Sequence, residues 1–177
     1  YNMVYNEIIS KLWYNIVNRI SIGGMDMQPG AYYIAVVGDI VNSKQTSSHY
    51  GIDRSQAQKI LSNVLESVNN DGSFIEDIAS NFTITLGDEF QGLLRNGRNL
   101  MKIIMFIENK IYPIQVRFGI GIGKLQTEIY RFAALGADGD AYYRARDMIE
   151  SIKSSEKKNK SIFTTIAVKA DGKEKLI

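Results

Sequence analysis

The sequence predicts an α+β fold: a ferredoxin-like β-α-β-β-α-β sheet with an α-β extension, preceded by an N-terminal amphipathic helix. Three observations predict it. Apolar runs of strand length occupy 31–38, 81–86, 90–95, 114–123 and 161–168. Stretches with apolar residues at helical spacing, 53–69, 98–110 and 140–153, fall between them. The second and third strands are separated only by Gly87-Asp88-Glu89, a hairpin connection. With 177 residues, 45% of them apolar and 23% charged, the chain is long enough for a single unstapled core.

The elements follow in order. Residues 1–24 carry Val4, Ile8, Ile9, Leu12, Trp13, Ile16, Val17 and Ile20 at spacings of three and four, and Gly23-Gly24 stops the stripe. Three readings of this piece stay open: a docking or self-associating helix, a segment added by an early start site, or a membrane-surface helix. The last sits poorly with a polar face of Asn.

Residues 29–170 form the domain. Its first strand is nearly continuous in apolar residues, as in a strand buried on both faces. A polar loop follows, VNSKQTSSHYGIDRS, and then helix 53–69 with Ala57, Ile60, Leu61, Val64, Leu65 and Val68 on one face. Asn69-Asn70-Asp71-Gly72 breaks that helix. Strand 114–123 carries Gly119, Gly121 and Gly123 on one face, so a helix is expected to pack closely there, with Arg117 on the same face. Helix 140–153 starts after the capping candidates Asp138 and Asp140 and buries Tyr142, Ala145, Met148, Ile149 and Ile152. Residues 171–177 read as a C-terminal tail.

The site follows from topology. The first strand ends on Gly38-Asp39 and the second on Gly87-Asp88-Glu89. A strand-helix-strand unit makes those strands parallel, so both acids emerge at one sheet edge, and the hairpin carries the second pair towards the first. Two carboxylates there suit a hard divalent cation facing phosphate. Candidate metal ligands are Asp39, Ile40, Asp88 and Glu89. Backbone N–H groups of Ile40, Val41, Asn42 and Ser43 are expected to cradle phosphate, with Lys44 adding charge. Gly87 and Arg117 complete the candidate phosphate-binding set, and Asp39 and Asp88 are the candidate catalytic carboxylates.

Composition removes other chemistries. The chain has no cysteine, which excludes disulfides and thiolate chemistry, and its lone His49 argues against His-rich metal sites. A net charge of +2 gives no bulk signal for nucleic acid. No apolar run approaches the roughly 18–20 residues of a membrane span, and no secretory signal is evident, so a cytoplasmic location is expected.

TLGDEFQGLL resembles the signature hairpin of diguanylate cyclases, with Leu86 in place of the first glycine. GDIVNSK resembles the first metal strand of class III nucleotide cyclases, and VRFGIGIG the arginine-containing, glycine-rich strand of both families. ADGDAYYRARDMIE resembles the helix that follows. Together, over about residues 30–168, the four motifs most resemble the SatD family. The resemblance implies a cyclase-like domain that takes a nucleoside triphosphate with Mg²⁺ or Mn²⁺, with Arg146 stabilising the transferring phosphates. It also implies a homodimer that completes the site. The asparagine that class III cyclases carry on this helix is not evident; tyrosines stand nearby. Three classes of function remain open: a metal-dependent nucleotidyl cyclase or transferase, a nucleotide sensor without turnover, and a transcription-related scaffold. Longer relatives of the family can carry a helix-turn-helix after this domain, which is not evident here.

Overall fold

The computed structural model describes residues 31–41, 51–85, 87–132, 137–158, 165–170 and 173–176. The helix expected over 1–24 lies outside these residues, as do Asn42, Ser43, Lys44 and His49. In chain order the elements are β1 (Tyr32–Ile40), α1 (Arg54–Asn70), β2 (Ile78–Ile84), β3 (Glu89–Leu94), α2 (Leu100–Ile111), β4 (Val116–Lys124), α3 (Asp140–Lys158), β5 (Ile166–Ala170) and β6 (Lys173–Leu176).

The strands form one sheet in the order β2-β3-β1-β4-β5-β6. Strand β1 is central and antiparallel to both β3 and β4. Since β3 is also antiparallel to β2, β1 and β2 run parallel on either side of it, joined through α1. Strands β4 and β5 are parallel, joined through α3.

Alternation along β1 divides the core. Ile34, Val36 and Ile40 face the apolar stripes of α1 and α2, including Leu61, Leu65, Ile103, Ile104 and Ile107. Tyr33, Ala35 and Val37 face α3, where Ala141, Tyr142, Ala145 and Ile149 meet them. Asp39 shares that second face by parity. Helix α1 opens on a reciprocal capping box between Asp53 and Gln56. At its other end Asn69 uses both sides of its amide on the backbone of Phe82, so the helix terminus is tied to strand β2.

The alternating glycines of β4 have the expected role. A Cβ on Gly119 or Gly121 would overlap the carbonyl oxygens of Ala145 and Ala141, and one on Gly123 would lie 2.8 Å from the Ala141 nitrogen. Backbone therefore meets backbone where α3 crosses β4.

Several boundaries differ from expectation. Strand β1 does not stop at Gly38; both neighbours pair with it through Asp39, and β4 pairs with it as far as Ile40. Strand β2 starts at Ile78 rather than 81, and the hairpin closes earlier, with Thr85 N–H donating to the Glu89 carbonyl. Helix α3 runs beyond 153 to Lys158. Strand β5 begins at Ile166, while 161–164 lie outside the described residues. Residues placed in a tail form β6, antiparallel to β5.

A buried polar knot went unread in the sequence. The Asp77 carboxylate accepts from Asn96 and Asn99, each at 2.7 Å, and Asn99 also donates to the Ser73 carbonyl. It pins the turn before β2 to the turn before α2.

Gly121→Ala is expected to lower unfolding stability by about 3 kcal/mol, because the clash is with main chain that cannot swing aside. Gly72→Ala, where an added Cβ meets nothing within 4 Å, should stay within about 0.5 kcal/mol of the parent. Urea denaturation of the two variants checks the contrast.

Candidate functional site

The site is built by register. Across β1, Asp39 lies opposite Glu89 on β3 and opposite Arg117 on β4. Directly opposed residues in antiparallel strands share a face. Asp39 and Arg117 are both buried, at 6% and 7% exposure. Arg117 Nη1 donates to Asp39 Oδ2 at 2.8 Å. The rest of the guanidinium is gripped by Glu156 of α3, with Nε donating to Oε1 at 2.9 Å and Nη2 to Oε2 at 2.6 Å. Burial works against the Arg117 charge, and its two acidic partners outweigh burial and raise its pKa. A second cation, Lys153 of α3, sits 3.5 Å from the same Asp39 Oδ2.

Glu89 is half-buried at the start of β3. Burial raises its pKa above the ordinary glutamate value; the Lys153 charge opposes that, the Asp39 and Asp88 carboxylates add to it, and Arg146 opposes it. Three acids and two cations are thus near enough to act on one another. Arg146 reaches across to β3, with Nη2 3.3 Å from Gln91 Oε1. Gln91 is two residues beyond Glu89 and shares its face.

The structure gives the two candidate acids of the hairpin different places. Glu89, rather than Asp88, is the cross-strand partner of Asp39. Asp88 stays in the turn, with its carboxylate 3.6 Å from Arg54 of α1 and its carbonyl accepting from Ile40 N–H at 3.2 Å. Gly87 has φ of 66°, its carbonyl accepts from Gln58, and a side chain there would run into Arg54. Gly87 is therefore a turn residue under close cover.

The expected phosphate cradle needs correcting at two positions. The Ile40 N–H is taken by the Asp88 carbonyl, and the Val41 N–H donates to Gln115 at 2.9 Å. Neither is available to a phosphate, because β1 runs on where a sharp turn was expected.

Lys153, Glu156 and Gln91 went unread in the sequence. A signal for two of them exists. Along β4 a two-residue step is about 6.7 Å, close to the roughly 6 Å of four residues in a helix. Continuing the Gly123, Gly121, Gly119 stripe to Arg117 moves the facing point along α3 from Ala141 and Ala145 towards 153–156.

Among the described residues no three acids or histidines gather closely enough to hold a metal ion unaided. The donors at this edge are hard carboxylate oxygens, the type that Mg²⁺ and Mn²⁺ accept. Mg²⁺ is usually held by one or two carboxylates together with substrate phosphates, and Asp39 with Glu89 fits that pattern.

An α+β domain with a buried, charge-paired acid at the β1–β3 edge is the class that fold and site define. The SatD family matches residues 33–176, and the chain belongs to that family. No curated protein matches the chain. Among solved structures it is similar to a bacterial light-regulated adenylyl cyclase, at 12% identity and TM-score 0.46, covering 77% of this chain and 74% of that one. It is also similar to an EAL/GGDEF domain protein from M. capsulatus, at 12% identity and TM-score 0.42, covering 80% and 87%. No helix among the described residues is long and apolar enough to cross a membrane.

Arg117→Met is expected to cost about 3–5 kcal/mol of stability, since it leaves the buried Asp39 carboxylate without its main partner. In the Asp39→Asn/Arg117→Met double variant part of that loss should return, giving a coupling energy above about 1 kcal/mol in a denaturant double-mutant cycle. Additive losses would show that the pair is not coupled.

Proposed function

We propose that this chain binds a nucleoside triphosphate together with Mg²⁺ or Mn²⁺ at the β1–β3 edge. One observation carries the reading: the opposition of Asp39 and Glu89 on one face, with Asp88 in the adjoining turn and Arg146 and Lys153 of α3 facing them. Carboxylates beside mobile cations complement a ligand that is itself a cation joined to polyphosphate. Asp39 and Glu89 would hold the metal, with the Ile40 carbonyl as a third oxygen, and Arg146 would face the phosphates. A cation bound there neutralises phosphate charge and aligns the attacking and leaving oxygens of an in-line displacement. We read the strand order as the ferredoxin-like arrangement of nucleotide cyclases, which makes nucleotidyl cyclisation or transfer the reaction class.

A second reading, a nucleotide sensor without turnover, is favoured by Tyr142. It stands one helical turn before Arg146, yet it is fully buried in the core and its hydroxyl finds no partner among the described residues. Burial raises its pKa, so it stays neutral. A side chain committed to packing is unsuited to orienting a substrate. The proposal also includes a homodimer, and a cytoplasmic setting where nucleoside triphosphate and Mg²⁺ are both available.

Calorimetric titration with ATP, GTP, CTP and UTP in Mg²⁺ or Mn²⁺ tests the binding. At least one nucleotide should bind, and Asp39→Asn and Glu89→Gln should each weaken it by about tenfold or more, about 1.4 kcal/mol. Equal binding by parent and folded variants would sink the site. Mass spectrometry of the incubated nucleotide then separates enzyme from sensor.

A further inference from the structure

We propose that Lys153 is a built-in counter-ion of Asp39 which is displaced when a divalent cation binds there. The proposal rests on the metal-site reading above. Two cations meet Asp39 Oδ2, and they differ in freedom. Arg117 is held by Glu156 through two hydrogen bonds and by Asp39 through a third, and its side chain is only 9% exposed. It is a fixed part of the wall. Lys153 makes only longer contacts, 3.5 Å to Asp39 Oδ2 and 3.6 Å to Glu150 Oε1, and its side chain is 27% exposed.

The Lys153 ammonium therefore stands at the Asp39 carboxylate oxygen that a metal would use. It is a compact charge on a flexible four-carbon stem. Glu150, one helical turn back and exposed, offers it an alternative partner on the solvent side. A divalent ion approaching Asp39 Oδ2 meets like charge until Lys153 swings out. The protein alone is then a weak binder of bare cation, and removing the lysine charge should strengthen binding. A lysine that served only to stabilise the folded acids, or only to hold phosphate, gives no such gain.

The test is Mn²⁺ titration of the whole chain without nucleotide, read by calorimetry or by Mn²⁺ electron paramagnetic resonance. Lys153→Gln and Lys153→Met should bind Mn²⁺ several-fold more tightly than the parent, while Lys153→Arg, which keeps the charge, should not gain. The gain should vanish when Asp39→Asn is added to Lys153→Gln. Asp39-dependent Mn²⁺ binding that is no tighter in folded Lys153→Gln and Lys153→Met overturns the displaced-lysine proposal while leaving the metal site standing. Absence of Asp39-dependent Mn²⁺ binding in parent and variants alike overturns both.

Discussion

The contact on which the rest of the site depends is the backbone-to-backbone crossing of α3 over β4. At Gly119 and Gly121 there is no room for even a methyl group beneath the helix. That closeness sets the height of α3 above the sheet. It also keeps helix and strand in step, so the point where glycines give way to Arg117 coincides with the point where apolar helix residues give way to Lys153 and Glu156. A helix held further out would leave Arg117 without Glu156, and Asp39 would then share a buried face with a poorly anchored cation.

Charge balance follows from that height. Asp39 is buried, and the penalty for an unpaired buried charge amounts to several kcal/mol. Arg117 supplies the fixed compensation. Glu89 brings a second carboxylate to the same face, and burial first, then the Asp39 and Asp88 charges, raise its pKa. The arrangement sets an acid paired with a fixed guanidinium beside a half-buried acid. Such an edge accepts further positive charge, and Lys153 is the local group placed to answer it.

The strand and helix order was legible because long apolar runs and clear helical stripes leave few alternatives, and the β4 glycines announced the helix contact. The convergence of Asp39 with the hairpin acids followed from topology alone. Which acid converges did not. Choosing between Asp88 and Glu89 requires the register of β1 against β3, and a shift of one residue exchanges the faces. The same blindness to register extended the phosphate cradle to Ile40 and Val41, whose N–H groups belong to strand and turn bonding. The Asp77–Asn96–Asn99 knot and the Glu156 clamp join residues distant in sequence through side chains with no periodic signature, so nothing local announced them.

Helix α3 divides its labour along its length. Its first turns, with Ala141, Tyr142 and Ala145, are spent against the sheet core, and Arg146 reaches Gln91 on β3. Its last turns carry Lys153 and Glu156, which act on Asp39 directly and through Arg117. Packing continues through Met148, Ile149 and Ile152, so charge control begins where packing ends on one element. In chain order α3 is followed by β5, which lies on the other side of β4 from β1. A ligand that drew Lys153 away from Asp39 would thus act on the end of α3, while the backbone contacts at Gly119 and Gly121 hold its earlier turns.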